Sequence, residues 1–210
     1  MQTPSDADCT RCSNTVKLYM GPMFSGKTNS MLNMLHTLKY GKATKVLLMK
    51  YSGDTRDEEN IVLSRSGVKM TSDAKISTGK EAWKLVVEVL SVPRTPSLTK
   101  LIVGIDEGQF IVGLDTFITK VLALQSNVLI QVYIAALDSD YKRAMWPEIV
   151  KIIPLCNDVK KNSAICMGTC QGNRAQLTKR IVQSDELELI GSDEYIASCF
   201  ICHLEGNSML

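Results

Sequence analysis

The chain has 210 residues, enough for one substantial domain or one with a small appendage. Its net charge of +2 leaves no electrostatic footprint for duplex nucleic acid, which demands a clustered basic face. No apolar run reaches the roughly 18–20 residues that cross a bilayer, and the polar start has no signal-type apolar core, so the expected place is the cytoplasm, with neither nucleic acid nor membrane as partner.

Residues 1–15 read as a tail. Val16–Met20 is an apolar strand that feeds Gly21-Pro22-Met23-Phe24-Ser25-Gly26-Lys27-Thr28, a fit to G-x-x-x-x-G-K-[ST]. In such a loop the glycines let successive N–H groups turn inward onto phosphate oxygens. The helix leaving the loop adds the positive end of its dipole. Lys27 would then reach the β- and γ-phosphates, and the Thr28 hydroxyl would ligate Mg²⁺. Residues 29–39 carry Met31, Leu32, Met34, Leu35 and Leu38 at helical spacing.

Residues 43–50 follow as a buried-type strand, and the polar stretch 51–66 reads as an irregular connection. Residues 68–76 leave a short strand open. Residues 79–90 read as a helix with Trp83, Leu85, Val86, Val89 and Leu90 inward, and Pro93 and Pro96 break the chain after it. Residues 101–105 are another buried strand, with Asp106-Glu107-Gly108-Gln109-Phe110 at its carboxyl end. A helix over 114–124 and a strand over 128–136, ending at Leu137-Asp138, complete the series.

Strands alternating with helices at this spacing give an α/β class with a mostly parallel sheet covered on both faces. Ligands of such sheets bind at the carboxyl ends of the strands. The phosphate loop, Asp106-Glu107 and Asp138 all fall there. The character changes near Pro154, which divides the chain into a tail (1–15), a nucleotide-binding domain (16–155), a small cysteine-bearing unit (156–205) and a short end (206–210).

Asp106 closes its strand as a Mg²⁺-holding aspartate does in phosphate-loop proteins. Adjacent strand residues face opposite ways, which would free Glu107 to act as general base on an acceptor hydroxyl. An acidic pair at a strand end also serves merely to solvate a turn; its co-location with Lys27 favours catalysis.

Seven cysteines are an odd count for a secreted disulfide framework. Cys166 with Cys170 and Cys199 with Cys202 form two close pairs, the donor set of a closed structural Zn²⁺ site. His203 leaves the identity of the fourth ligand open. Cys9 and Cys12 read as uncommitted thiols, Cys156 as core, and His36 as a helix-face residue without a chemical task.

GPMFSGKT at 21–28, KYSGDTR at 50–56, IDEGQF at 105–110, AALD at 135–138 and the paired cysteines occur together in one order. In this the chain resembles the cytosolic-type (type II) thymidine kinase family over about 16–203. The resemblance implies a P-loop NTPase (RecA-like) core plus a small zinc-binding β-rich domain whose lasso loop closes over the nucleoside. It implies transfer of the ATP γ-phosphate to the 5′-hydroxyl of thymidine, a homotetramer, and feedback inhibition by dTTP.

Matched residue by residue, the resemblance assigns catalysis to Glu107 and Arg56. The ATP side takes Gly21, Met23, Phe24, Ser25, Gly26, Lys27, Thr28, Asp54, Asp106 and Gln109. The nucleoside takes Met23, Phe110, Leu137, Tyr141, Trp146, Thr178 and Tyr195. Zinc falls to Cys166, Cys170, Cys199 and Cys202, and Mg²⁺ to Thr28 and Asp106. Three features depart from the family pattern. Three residues rather than two separate Cys166 from Cys170, Tyr141 and Trp146 stand where phenylalanines are common, and the stretch ending at Tyr195 is one residue short. Two other classes explain less. A nucleotide-driven switch that reads guanine would carry N-K-x-D, which is missing, and a zinc-ribbon binding module leaves Lys27, Asp106 and Glu107 idle.

Overall fold

The computed structural model describes residues 13–54, 60–93, 98–170, 172–182 and 194–205. Its centre is a six-stranded, wholly parallel sheet built from β1 (Thr15–Gly21), β2 (Thr44–Tyr51), β5 (Ala74–Ile76), β6 (Lys100–Asp106), β7 (Leu129–Leu137) and β8 (Asp158–Lys161), in the order β5-β2-β6-β7-β1-β8. Strand alternation splits the apolar residues between two faces. On one face Leu18, Leu47, Leu101, Val103, Ile105, Val132 and Ile134 meet Val86 of α2 (Gly79–Ser91), Phe117 and Val121 of α3 (Leu114–Ala123), and Ile149 and Ile152 of α4 (Pro147–Ile152). On the other, Tyr19, Leu48, Ile102 and Tyr133 meet Met31, Leu32 and Leu35 of α1 (Lys27–Leu38). Burial on both faces is why the central strands read as continuous apolar runs.

Two parts differ from the sequence reading. The stretch 51–66 is not wholly irregular: β3 (Ile61–Leu63) pairs antiparallel with β4 (Lys69–Thr71), and Ser64 N donates to Val68 O at 2.8 Å across the turn. Val62 alone of its strand is buried, against the α1 face, too short a pattern to stand out among polar neighbours. The 68–76 stretch holds two strands, β4 and β5, rather than one.

The sheet also runs past the expected break at 155/156. The edge strand β8 is Asp-Val-Lys-Lys, exposed along its whole length and paired with β1 through Leu18 and Val159. Charges along an edge strand discourage pairing with other chains, and they also hide the strand from a search for hydrophobic alternation. Helix α4 was likewise unmarked; Pro147 opens it, and only Ile149 and Ile152 are buried.

Beyond β8 lie two small antiparallel ladders: β9 (Ala164–Ile165) with β10 (Arg174–Ala175), and β11 (Leu177–Arg180) with β12 (Tyr195–Ser198). Helix α5 (Phe200–Leu204) follows them. Among the described residues no helix is long and apolar enough to cross a membrane.

Candidate active site

The phosphate-type loop leaves β1 at Gly21, whose φ of 145° suits glycine, and a Cβ there would collide with the carbonyl of Asn162. Asn162, just past the end of β8, props the loop from two sides. Its backbone N–H donates to Met20 O at 2.7 Å, and its side-chain amide donates to Ser25 O at 3.0 Å. Within the loop Phe24 and Gly26 are left-handed, with φ of 64° and 73°, which curls the backbone as an anion-binding concavity requires. Ser25 Oγ and Lys27 Nζ both donate to Pro22 O at 2.8 Å. Helix α1 starts at Lys27 itself, two residues earlier than its apolar pattern indicated.

At the end of β6 the buried Asp106 accepts a hydrogen bond from Thr28 Oγ1 at 2.9 Å. A hydroxyl and a carboxylate beside a phosphate loop are the hard oxygen donors that suit Mg²⁺. Glu107 faces elsewhere, and the cause differs from the one the sequence suggested. The strand ends at Asp106, and Glu107 adopts a left-handed conformation with φ 54° and ψ 44°. That turn delivers its carboxylate to Gln109, whose amide nitrogen donates at 2.7 Å. The other end of Gln109 accepts from Leu137 N at 3.0 Å. A backbone N–H can only donate, so that contact fixes which amide atom faces Glu107. Non-glycine residues in left-handed backbone concentrate at functional sites.

Asp54 is buried at the end of the turn after β2. Lys50 of β2 is fully buried, stands opposite Asp106 in the β2–β6 ladder and donates to Ile61 O at 3.1 Å. Arg56 lies outside the described residues. Asp138 is buried in an ion pair with Lys161 of β8 at 2.8 Å.

The residues assigned to a nucleoside fall into separate contact groups. Phe110 packs between Tyr51 (centroids 5.0 Å apart) and Trp146 (5.2 Å, edge to face). Leu137 ends β7 beside Gln109. Met23 N donates to Thr178 Oγ1 at 3.0 Å, which joins the loop to β11. Tyr141 and Tyr195 meet through Arg180, whose guanidinium lies 3.9 Å from the first ring's centroid and donates to the hydroxyl of the second at 2.6 Å. Sequence reasoning missed Asn162, Tyr51 and Arg180. For Arg180 a signal existed, since it lies two residues after Thr178 and therefore on the same face of β11.

The four cysteine sulfurs lie within 4.8 Å of one another. Cys170 Sγ and Cys199 Sγ are 3.7 Å apart. Thiolates bound tetrahedrally to one Zn²⁺ at ~2.3 Å stand ~3.8 Å from each other, so the donor set and its spacing fit zinc. Between Cys166 and Cys170 the chain passes close to Cys202 at Gly168, where a Cβ would come within 2.7 Å of Cys202 Cβ. Backbone N–H groups of Asn173 and Gly172 pull the Cys170 thiol down to about 6, and the Thr169 hydroxyl lowers that of Cys202. Burial pushes Cys166 up to about 11.

Cys202, not His203, completes the cluster. His203 is buried with Nδ1 3.2 Å from Ser198 Oγ, and burial lowers its pKa. Cys156 is half-buried against the core with its thiol pushed up to about 11 by desolvation. His36 contacts Lys69 O at 3.2 Å on the outside of α1. Cys9 and Cys12 lie outside the described residues.

Comparison with known proteins bears on the same span. A family model described as thymidine kinase matches residues 14–203. Thymidine kinase 1 of Dictyostelium discoideum is 34% identical over 204 residues, which spans 95% of this chain and 83% of that protein. The thymidine kinase of rabbit fibroma virus (strain Kasza) is 32% identical over 197 residues, 90% of this chain and 95% of its own. The cytosolic thymidine kinase of Gallus gallus is 30% identical over 191 residues, 90% of this chain and 77% of its own.

Proposed function

The chain belongs to the thymidine kinase family, and we propose that it transfers the γ-phosphate of ATP to the 5′-hydroxyl of thymidine, giving dTMP and ADP. One observation carries the reading. Asp106 and Glu107 are neighbours turned to separate tasks, the first bonded to Thr28 of the phosphate loop and the second held by Gln109.

In the transfer, the bond from O5′ to the γ-phosphorus forms as the bond to the β,γ-bridging oxygen breaks, and ADP leaves. Glu107 accepts the hydroxyl proton as general base. The loop's N–H groups and Lys27 hold the donor phosphates, with Gly21, Met23, Phe24, Ser25, Gly26 and Asp54 shaping that side. Arg56 spreads charge on the transferred oxygens. Thr28 and Asp106 would hold Mg²⁺, which when bound neutralises charge on the β- and γ-oxygens. Gln109, expected on the ATP side, has both amide ends occupied by Glu107 and Leu137, which makes it an aligner of the base.

Met23, Phe110, Leu137, Tyr141, Trp146, Thr178 and Tyr195 line the nucleoside pocket, which selects a pyrimidine by size. The 5-methyl group is worth about 1–3 kcal/mol in an apolar pocket, so deoxyuridine is a second substrate. Cys166, Cys170, Cys199 and Cys202 hold a structural zinc ion. Family resemblance further supports a cytoplasmic homotetramer under dTTP feedback, working in pyrimidine deoxynucleotide salvage.

Labelled ATP offered with a panel of deoxynucleosides tests the reading. Thymidine and deoxyuridine should yield labelled monophosphate and purine deoxynucleosides none. Steady ATP hydrolysis with no phosphorylated nucleoside overturns it. Glu107→Gln keeps the shape and removes the base, so turnover should fall about 10²–10⁴-fold with ATP affinity held. Near-normal turnover in that variant removes Glu107 from the role.

A further inference from the structure

Two of the pocket tyrosines come from different parts of the chain. Tyr141 lies on the loop between β7 and α4, while Tyr195 opens β12 of the small unit. One side chain touches both. Arg180 is the cross-strand partner of Tyr195 in the β11–β12 ladder, so the two start side by side. Its guanidinium lies 3.9 Å from the Tyr141 ring centroid, and its Nη2 donates to the Tyr195 hydroxyl at 2.6 Å. Lys142 also lies near the Tyr141 ring, but farther away, at 5.4 Å, and is itself exposed.

Only arginine can do both tasks together. A guanidinium stacks through its flat face while its N–H groups donate in the plane; an ammonium has no face to stack. The same strand face carries Thr178, which accepts from Met23 of the phosphate loop. Strand β11 therefore touches the larger unit at two points, Met23 and Tyr141.

We propose that Arg180 is a positioning residue for the nucleoside, pinning Tyr141 and Tyr195 as preset walls of the base pocket before substrate arrives. This rests on the reading that those tyrosines line the nucleoside site. Preset walls spare the ordering of two aromatic side chains on binding, so the gain appears as nucleoside affinity. The Arg180 contacts with Tyr141 and Tyr195 involve no residue assigned to the ATP side, so ATP affinity stands apart from them.

The test is steady-state kinetics of Arg180→Ala, Arg180→Lys and Tyr195→Phe, with thermal unfolding of each variant to check folding. Arg180→Ala should raise KM for thymidine about tenfold, as expected for losing a desolvated cation–π contact and a charge-assisted hydrogen bond. KM for ATP and kcat should move by less than about twofold, the pattern of lost ground-state binding. Arg180→Lys should give most of the same loss. Tyr195→Phe should cost about threefold, and adding it to Arg180→Ala should cost nothing more, since the two share one interaction.

If Arg180→Ala does not fold, Arg180→Lys and Tyr195→Phe carry the same split. Unchanged thymidine KM in Arg180→Lys, or equal rises in both KM values with a lowered Tm, overturns the inference. Wild-type protein that makes dTMP while the variants bind thymidine normally overturns the inference alone. Wild-type protein that makes none overturns the proposed function, and this inference with it.

Discussion

The parallel-sheet core and the cysteine-bearing unit are held by different forces. The core packs Leu18, Ile105, Phe117, Ile134 and their neighbours on one side of the sheet and Leu32, Leu35, Leu48 and Ile102 on the other, all at or near zero exposure. The buried cluster of the small unit, among the described residues, is Ala164, Cys166, Ala175, Ala197, Cys199 and Cys202, with Phe24 of the phosphate loop against it. Alanines and thiols bury too little apolar surface to offset the entropy of ordering their strands. One region is therefore a self-sufficient apolar core, and the other has a cysteine cluster that could hold an ion and docks against the phosphate loop through Phe24.

The largest expected effect follows from that contrast. Zinc binding to small thiolate modules contributes about 10–16 kcal/mol at neutral pH, far more than any single apolar contact here. Removing the proposed ion with a strong chelator should unfold the small unit and leave the sheet. Hydrogen exchange reads this directly: amides of Leu177–Arg180 and Tyr195–Ser198 lose protection, while those of β1, β6 and β7 keep theirs. Uniform loss across both regions would break the comparison.

The core has the opposite dependence. Leu35 is fully buried between α1 and the sheet, so Leu35→Ala should cost about 2–5 kcal/mol through lost transfer energy and the cavity left behind. Urea unfolding at saturating zinc measures it. A change below about 1 kcal/mol would mean the α1 face is loosely packed and that the contrast is weaker than drawn.

The same contrast explains what the sequence made legible. Long apolar runs such as Leu101–Ile105 and the helical spacing of Met31, Leu32 and Leu35 carry the core's stabilisation within local pattern, so β1, β2, β6, β7 and the three longest helices could be read within one or two residues. Elements stabilised by something other than apolar periodicity could not. The edge strand β8 is polar and defined by pairing with β1, and β3 rests on the single buried Val62. At the site, the residue types were legible because phosphate, Mg²⁺ and zinc chemistry restrict them. The orientation of Glu107 was not, because it comes from one left-handed residue rather than from strand alternation. Asn162 and Arg180 escaped notice because their partners, Met20, Ser25, Tyr141 and Tyr195, are distant in sequence.

The smallest expected effect compares how helices begin in the two regions. Helix α2 opens with a complete capping box: Thr78 Oγ1 accepts from Glu81 N, and the Glu81 carboxylate accepts from Ser77 N at 2.7 Å and Thr78 N at 2.9 Å. Helix α5 opens on Cys199 with no side-chain cap, so its start depends on the thiolate cluster. Thr78→Ala should cost about 1 kcal/mol in the core. The Ser77 and Thr78 N–H groups hold the Glu81 carboxyl below its usual 4.5. A carboxyl depressed in the folded state adds stability above its unfolded value, and that stability is lost as pH falls through the folded value. Wild type should therefore exceed Glu81→Gln in Tm at pH 7, and the gap should close as the pH drops below about 4.5. Protonation of the cysteines weakens both proteins alike over that range, so it cancels in the difference. A gap that stays constant from pH 7 to acid would mean the carboxylate's charge adds nothing at this cap, leaving α2 to be started by the Thr78 hydroxyl and its packing alone.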